Sequence, residues 1–228
     1  MNRVTAIVSA YYAEMYLDGR IQNLQCQSEK PEIVVVCRDH SPEFDIARKY
    51  DVKVIVTNNI PGIYEAWNIG VQAASGKYLT SANSDDRLLP GALKQMADVL
   101  DKESTYGVVY ANVDIVDEIG AEPVGTYDWK EGGFKELQQA CFLGPMPMWR
   151  KSLHARFGNF DETLKVAGDY DFWLRLAKGG VKFYHIRGNA LGQYLNRETS
   201  AEHRESLRSL WEANKVRGRY REAACISI

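Results

Sequence analysis

Four consecutive residues, Asn83-Ser84-Asp85-Asp86, put two carboxylates and two short polar side chains directly after a strand-like run at 78–82. Adjacent acids repel each other unless a cation or hydrogen-bond donors hold them, and hard carboxylate oxygens suit Mg²⁺ or Mn²⁺. Mg²⁺ in particular keeps coordination positions open for substrate phosphates. The competing reading is an Asx turn leading into the next helix, since Asn, Ser and Asp all favour turns. A second acid, Asp169, opens a helix expected over 169–177 whose apolar residues run almost all round, so the helix is buried and its acid needs a reason. That carboxylate can serve as a general base or simply cap the helix, while Asp171 and Arg175 are spaced for an i,i+4 brace.

The elements that must position these acids are legible from periodicity. Strands are expected at 4–9, 33–37, 52–57 and 78–82, alternating with helices at 16–27, 42–50, 62–74 and 90–100. This alternation is the signature of βαβ units and a largely parallel sheet. The run at 33–37 is continuously apolar, as a strand buried on both faces should be. Gly76 is expected to cap the third helix, and Pro90 to sit in the first turn of the fourth. Open α/β sheets bind ligands beyond the carboxyl ends of their strands. The acidic turn lies at one such end, and Ser9-Ala10-Tyr11-Tyr12 and Arg38-Asp39-His40-Ser41 lie at two others. From residue 108 the pattern changes. The runs at 108–110 and 113–116 read as an antiparallel meander, followed by a short helix at 134–140 and a loop at Gly144-Pro145-Met146-Pro147, so the second half is mixed.

Composition excludes several classes. The 28 Lys and Arg against 30 Asp and Glu leave a formal charge of -2, which supplies no basic field for a nucleic-acid backbone. The longest apolar run, 33–37, is far below the roughly 18 residues of a membrane-spanning helix. The N-terminus lacks the long apolar region of a signal peptide, so a cytoplasmic location is expected. Cys26, Cys37, Cys141 and Cys225 show no Cys-x-x-Cys spacing and are expected as buried free thiols. His40, His154, His185 and His203 share no metal-ligand spacing, although His185, on a late strand, could approach a metal.

Taken together, the strand ends resemble those of the family 2 glycosyltransferases, which have the GT-A fold. Ser9-Ala10-Tyr11-Tyr12 and Arg38-Asp39-His40-Ser41 are similar to the segments closing that family's first two strands. Gly62-Ile63-Tyr64-Glu65-Ala66-Trp67-Asn68-Ile69-Gly70 and Ala74-Ser75-Gly76-Lys77-Tyr78-Leu79 look like the stretch that leads to its acidic motif, and Asn83-Ser84-Asp85-Asp86 is similar to its Asp-x-Asp-Asp variant. Downstream, Phe157-Gly158-Asn159-Phe160-Asp161-Glu162 and Ala167-Gly168-Asp169-Tyr170-Asp171-Phe172-Trp173-Leu174-Arg175-Leu176 continue the likeness. Three positions depart from the pattern: Arg38 replaces a frequent acid, Tyr12 a frequent Asn, and Gly168 the Glu of a Glu-Asp pair.

The resemblance implies an α/β GT-A fold, a Rossmann-like central sheet, mostly parallel, with a mixed acceptor-side half. One domain is expected over 1–228, with a nucleotide-binding half to about residue 100, an acceptor half over about 101–195 and a C-terminal helix over about 200–218. It implies an inverting, divalent-metal-dependent transfer of sugar from a nucleoside-diphosphate sugar, UDP-sugar foremost, to a glycan or lipid-linked acceptor. Asp39 would bond the base, with Ser9 and Tyr11 lining its pocket and Asn68 in the nucleotide-binding set. Asn83 and Asp85 would face the ribose or the metal's water shell, Asp86 would ligate Mn²⁺ or Mg²⁺ with Asp85 beside it, and Asp169 would be the general base. A nucleotidyltransferase and a non-catalytic sugar-nucleotide binding module are the alternatives. Tyr127, Trp129 and Trp149 offer flat surfaces for an acceptor sugar or filling for the core. At the C-terminus, Leu207, Leu210, Trp211 and Ala213 form a helical apolar stripe beside Lys215, Arg217, Arg219 and Arg221. The stripe is expected to pack on the domain, with peripheral membrane contact as the alternative.

Overall fold

The computed structural model describes residues 2–197 and 206–221. Seven strands form the main sheet, in the order β10 (Lys182–Ile186), β6 (Tyr106–Ala111), β9 (Met148–Arg150), β4 (Tyr78–Ser81), β1 (Val4–Ala10), β2 (Glu32–Arg38) and β3 (Lys53–Thr57). Within it β1 and β2 pair in parallel, flanked by β4, the middle strand, and β3, the edge strand, both also parallel. The β-branched residues of β1 and β2 are buried on both faces because helices cover both sides of a parallel sheet. Helices α1 (Leu17–Gln25), α2 (Pro42–Ala47) and α3 (Ile63–Ala73) make the crossovers. The packing of α3 on β1 is close: a Cβ at Gly70 would lie 2.3 Å from Cγ2 of Ile7, so no larger residue fits there without a shift.

The expected α/β order through β4 is present, with ends moved by one to three residues. Two local assignments are corrected. Gly76 does not cap α3, whose C-cap is Ala74 in an extended conformation; Gly76 instead allows the chain to cross β1, where a Cβ would sit 2.7 Å from the Thr5 nitrogen. The fourth helix, α4 (Ala92–Lys102), begins after Pro90, with Gly91 at φ +80° as its N-cap.

The expected meander is also corrected. β6 (Tyr106–Ala111) joins the main sheet, parallel to β10 (Lys182–Ile186) and antiparallel to β9 (Met148–Arg150). β7 (Val113–Val116) goes to a second sheet, ordered β5-β11-β7-β8, made with β5 (Arg87–Leu88), β8 (Gly125–Tyr127) and β11 (Gly192–Leu195). Asn112 stands between the two runs and is 4% exposed. Its amide donates to Asp128 and to the Gly188 carbonyl, and its oxygen accepts from the Trp129 nitrogen and meets His185 Nε2. A buried amide must satisfy its hydrogen bonds, and these partners turn the chain from one sheet into the other.

The remaining helices are α5 (Phe134–Leu137), α6 (Leu153–Phe157), α7 (Gly168–Lys178) and α8 (Ser206–Tyr220). Phe160, Phe172, Trp149 and Trp173 interlock beneath α7, with ring centroids 4.7 to 6.3 Å apart, so Trp149 belongs to the core. The C-terminal helix does not bury the expected stripe. Leu207, Leu210 and Trp211 are 82%, 62% and 62% exposed, and the face turned inward carries Glu212 and Val216, with Ala213 and Tyr220 packed beside them. The start of the helix expected from about residue 200 lies outside the described residues. Among the described cysteines Cys37 is buried as expected, whereas Cys26 and Cys141 are exposed; Cys225 lies outside the described residues.

Candidate active site

Parallel pairing fixes which residues share an edge. Ala10 lies opposite Cys37, Arg38 opposite Thr57, and Ile7 opposite Ser81, so the carboxyl ends of β3, β2, β1 and β4 stand side by side. Strand order reverses direction between β1 and β4, which makes their ends a topological switch point, where such sheets hold ligands. Ser9 is the penultimate residue of β1 and Tyr11 follows that strand, and Asn83, Asp85 and Asp86 follow β4. The Tyr11 hydroxyl lies 2.9 Å from Thr57 Oγ1 at the end of β3, and burial pushes its pKa up to about 12. Tyr12 and His40 take positive φ values of 55° and 52°, as the chain turns sharply off β1 and β2.

Asp39 is not a helix cap. Ser41 caps α2, accepting from the Phe44 nitrogen at 3.2 Å, which leaves the half-exposed Asp39 side chain at the carboxyl end of β2 with His40 as its neighbour. Asn68 is a correction of another kind. It is 2% exposed; its amide donates to the Phe160 carbonyl and Glu162, and its oxygen accepts from the Phe160 nitrogen. Its side chain is used to tie α3 to the segment before α7 and is not offered to a nucleotide.

The two acids of the turn differ in surroundings. Asp86 is 2% exposed, accepts from Asn83 Nδ2 at 3.1 Å and the Leu195 nitrogen at 3.3 Å, and is pushed up to about 7 by burial and then by the charge of Asp85. It braces the turn against β11 through the Leu195 nitrogen. Asp85 is partly exposed and forms an ion pair with Arg197, whose guanidinium also lies 4.7 Å from the centre of the Tyr16 ring. Arg20, from α1, is fully buried, and the charges of Asp86 and Asp85 oppose the lowering that burial imposes on it.

A cation therefore already has a counterpart in this turn. The guanidinium of Arg197 stands where positive charge meets Asp85. Among the described residues no group of three or more His, Cys, Asp or Glu side chains could hold a metal ion. His185 does not reach the turn: its Nε2 is 2.8 Å from Asn112 and its ring stacks on Tyr110 at 4.8 Å.

Asp169 sits in the first turn of α7. The Tyr64 hydroxyl donates to its Oδ1 at 2.9 Å. Tyr64 lies in the first turn of α3, the helix that follows β3, so this contact brings Asp169 to the carboxyl edge of the sheet. Burial first, and the Asp169 charge second, raise the Tyr64 phenol well above its ordinary range, so it remains a donor. Gly168 explains itself in this contact. A Cβ there would lie 2.6 Å from Cδ2 of Tyr64, so the glycine seats the ring whose hydroxyl holds the acid. Asp171 has the expected brace with Arg175 at 3.0 Å, to which Arg219 adds a second at 2.8 Å. Tyr127 and Trp129 stack at 4.9 Å on the edge of the second sheet.

Periodicity did not reveal Tyr64, Arg197 or Arg20. The only signal in the sequence is that two adjacent acids need counter-charges, which does not say which arginines supply them.

The model of the family described as "Glycosyl transferase family 2" matches residues 5–153. A chondroitin synthase of Pasteurella multocida (strain Pm70) is 27% identical over 191 residues, covering 80% of this chain and 20% of that protein. A hyaluronan synthase of Pasteurella multocida is 27% identical over 197 residues, covering 82% and 20%. The chain thus spans about a fifth of the length of these relatives. Among solved structures, Staphylococcus aureus TarS residues 1-349 in complex with UDP superposes with a TM-score of 0.74 at 19% identity, covering 94% of this chain and 64% of that one. A mannosyltransferase from Pyrobaculum calidifontis in complex with GDP-Man and Mn²⁺ gives a TM-score of 0.71 at 17% identity, covering 97% and 65%. These superpositions show the GT-A fold.

Proposed function

The chain belongs to glycosyl transferase family 2, and on that premise we propose that it transfers a sugar, with inversion, from a nucleoside-diphosphate sugar to a hydroxyl of a glycan or lipid-linked acceptor. The observation that carries this reading is the switch-point edge, where Ser9, Tyr11, Asp39 and the acidic turn adjoin and Tyr64 brings a carboxylate on α7 to the same edge. Asp39 bonds the base, Ser9 and Tyr11 line its pocket, and Asn83 faces the ribose. Asp85 is the carboxylate that a divalent ion, Mn²⁺ or Mg²⁺, reaches, with Asp86 holding the turn from beneath. Once bound, the ion neutralises the charge developing on the diphosphate leaving group. Arg197 must release Asp85 for that exchange.

Asp169 takes the proton of the acceptor hydroxyl as that oxygen attacks the sugar from the side opposite the diphosphate. Tyr64 holds the carboxylate by its Oδ1. A UDP-sugar is favoured by the UDP and UDP-GlcNAc complexes of TarS, and a polysaccharide acceptor by the two synthases. The Tyr127–Trp129 stack is a surface for an acceptor sugar ring. Release of nucleoside diphosphate from a panel of UDP- and GDP-sugars with Mn²⁺ tests the reading. Donor binding without turnover across glycan acceptors would favour the binding-module alternative, and pyrophosphate release from a nucleoside triphosphate would indicate nucleotidyl transfer.

The exposed Leu207, Leu210 and Trp211, with Lys215 5.1 Å from the centre of the Trp211 ring, favour peripheral contact with anionic lipid, to which Arg219, paired with Asp161 and Asp171, does not contribute. Sedimentation with anionic liposomes at low and physiological salt tests it. Among the described residues no helix is long and apolar enough to cross a membrane.

A further inference from the structure

Glu212 is an acid turned the wrong way for a surface helix. It is 3% exposed on α8, and all its recorded bonds are to backbone. The Lys165 nitrogen donates to both carboxylate oxygens at 3.0 Å, the Val166 nitrogen at 2.9 Å and the Ala167 nitrogen at 3.1 Å. Three successive N–H groups converging on one anion form a nest. Ala167 is the N-cap of α7 and has no side chain with which to close the helix start, so the carboxylate of Glu212 supplies the anion that the positive end of α7 attracts. Asp169 is the second residue after Ala167.

The same helix grips the other side. Arg219 donates to Asp161 and to Asp171 at 2.8 Å each, and the Tyr220 hydroxyl donates to Asp171 at 3.0 Å. The segment carrying Asp169 is therefore held from α8 both before and after that residue, while Tyr64 holds the carboxylate itself. None of the α8 residues falls in the family-matched span, which ends at residue 153.

We propose that Glu212 is a positioning residue for the transfer: by fixing the backbone of 165–167 it sets the depth and direction at which Asp169 meets the acceptor hydroxyl. This rests on the reading of Asp169 as the base. Glu212 does not contact donor or acceptor and acts only through α7.

The test uses the full chain with Glu212→Gln, which keeps the shape but loses the charge and turns an NH₂ group toward N–H donors. Turnover is expected to fall about 10- to 100-fold through misplacement of the base, with the Mn²⁺-dependent affinity for UDP unchanged. Amide exchange at 165–169 should quicken while β1 and β4 stay protected. In an Asp169→Asn background the same substitution should cost nothing further, as one residue acting through another requires. Wild-type turnover in a folded Glu212→Gln chain overturns the proposal, as does an equal loss in both backgrounds. If Asp169→Asn alone turns over normally, it is the base reading that fails, and the positioning role falls with it. Should Glu212→Gln not fold, Arg219→Gln decides instead: a smaller loss of turnover at unchanged UDP affinity supports the two-sided grip, and no loss overturns it.

Discussion

The two halves of the molecule place their functional groups by different means. In residues 4–86 the backbone does the work: parallel pairing of β3, β2, β1 and β4 aligns four strand ends, and whatever follows each strand is delivered to one edge. In residues 154–220 the important acid is delivered by side chains from distant parts of the chain, Tyr64 to Asp169 across 105 positions and Glu212 to Ala167 across 45. A site on strand ends tolerates changes in the covering helices, whereas one hung on a helix start depends on each of its holders. Donor binding should therefore survive damage to the second half, and turnover should not.

The largest effect expected is that of Asp169→Asn, which keeps the size and one acceptor oxygen but cannot take a proton at neutral pH. Turnover should fall about 10² to 10⁴, the usual worth of general-base catalysis, with donor affinity retained. Near wild-type turnover, measured as nucleoside-diphosphate release, removes Asp169 from the mechanism. Asp86→Ala sharpens the comparison from the other side. It leaves the Leu195 N–H and the buried Arg20 without their acidic neighbour, at a cost of about 3 kcal/mol of stability. Urea denaturation measures it; a cost within the range of a surface turn means that Asp86 is not a brace. Tyr64→Phe removes one hydrogen bond to a charged group and should lower turnover about 10-fold at unchanged donor affinity. A normal rate would detach the phenol from the base.

The smallest effect is one of pH. Burial lowers His154 to about 4, with Trp149 Nε1 donating to its Nε2 at 2.9 Å, so the folded chain keeps the ring neutral where the unfolded chain protonates it. The stability owed to this difference is whole above about pH 6.5 and declines as pH falls toward 4. In His154→Gln the acid limb of a stability-pH profile should be shallower; an unchanged limb would place the titration elsewhere.

Legibility in the sequence follows the same division. The run 33–37 and its neighbours encode strands through burial on both faces, so the strand ends, and with them Ser9, Asp39 and the acidic turn, could be named from pattern alone. Which acid of the turn faces outward could not, because it depends on β11 closing over Asp86 from 109 positions away. Asn68 looked like part of a ligand motif and proved to be a tether, since a buried amide is claimed by whichever backbone packs against it. The stripe at Leu207, Leu210 and Trp211 had helical spacing, yet the face that packs is the one carrying Glu212, whose partners are backbone groups that no periodicity reports.

We propose that the acidic turn at the end of β4 holds the donor through a divalent ion at Asp85. Calorimetric titration of UDP-sugar, with and without Mn²⁺, into the wild-type chain and Asp85→Asn tests it most directly. Mn²⁺ is expected to tighten donor binding in the wild type by about 10-fold or more, roughly the 1.4 kcal/mol of a modest ligand contact, and to leave Asp85→Asn unaffected. An Asp85→Asn chain that gains as much from Mn²⁺ as the wild type would contradict it.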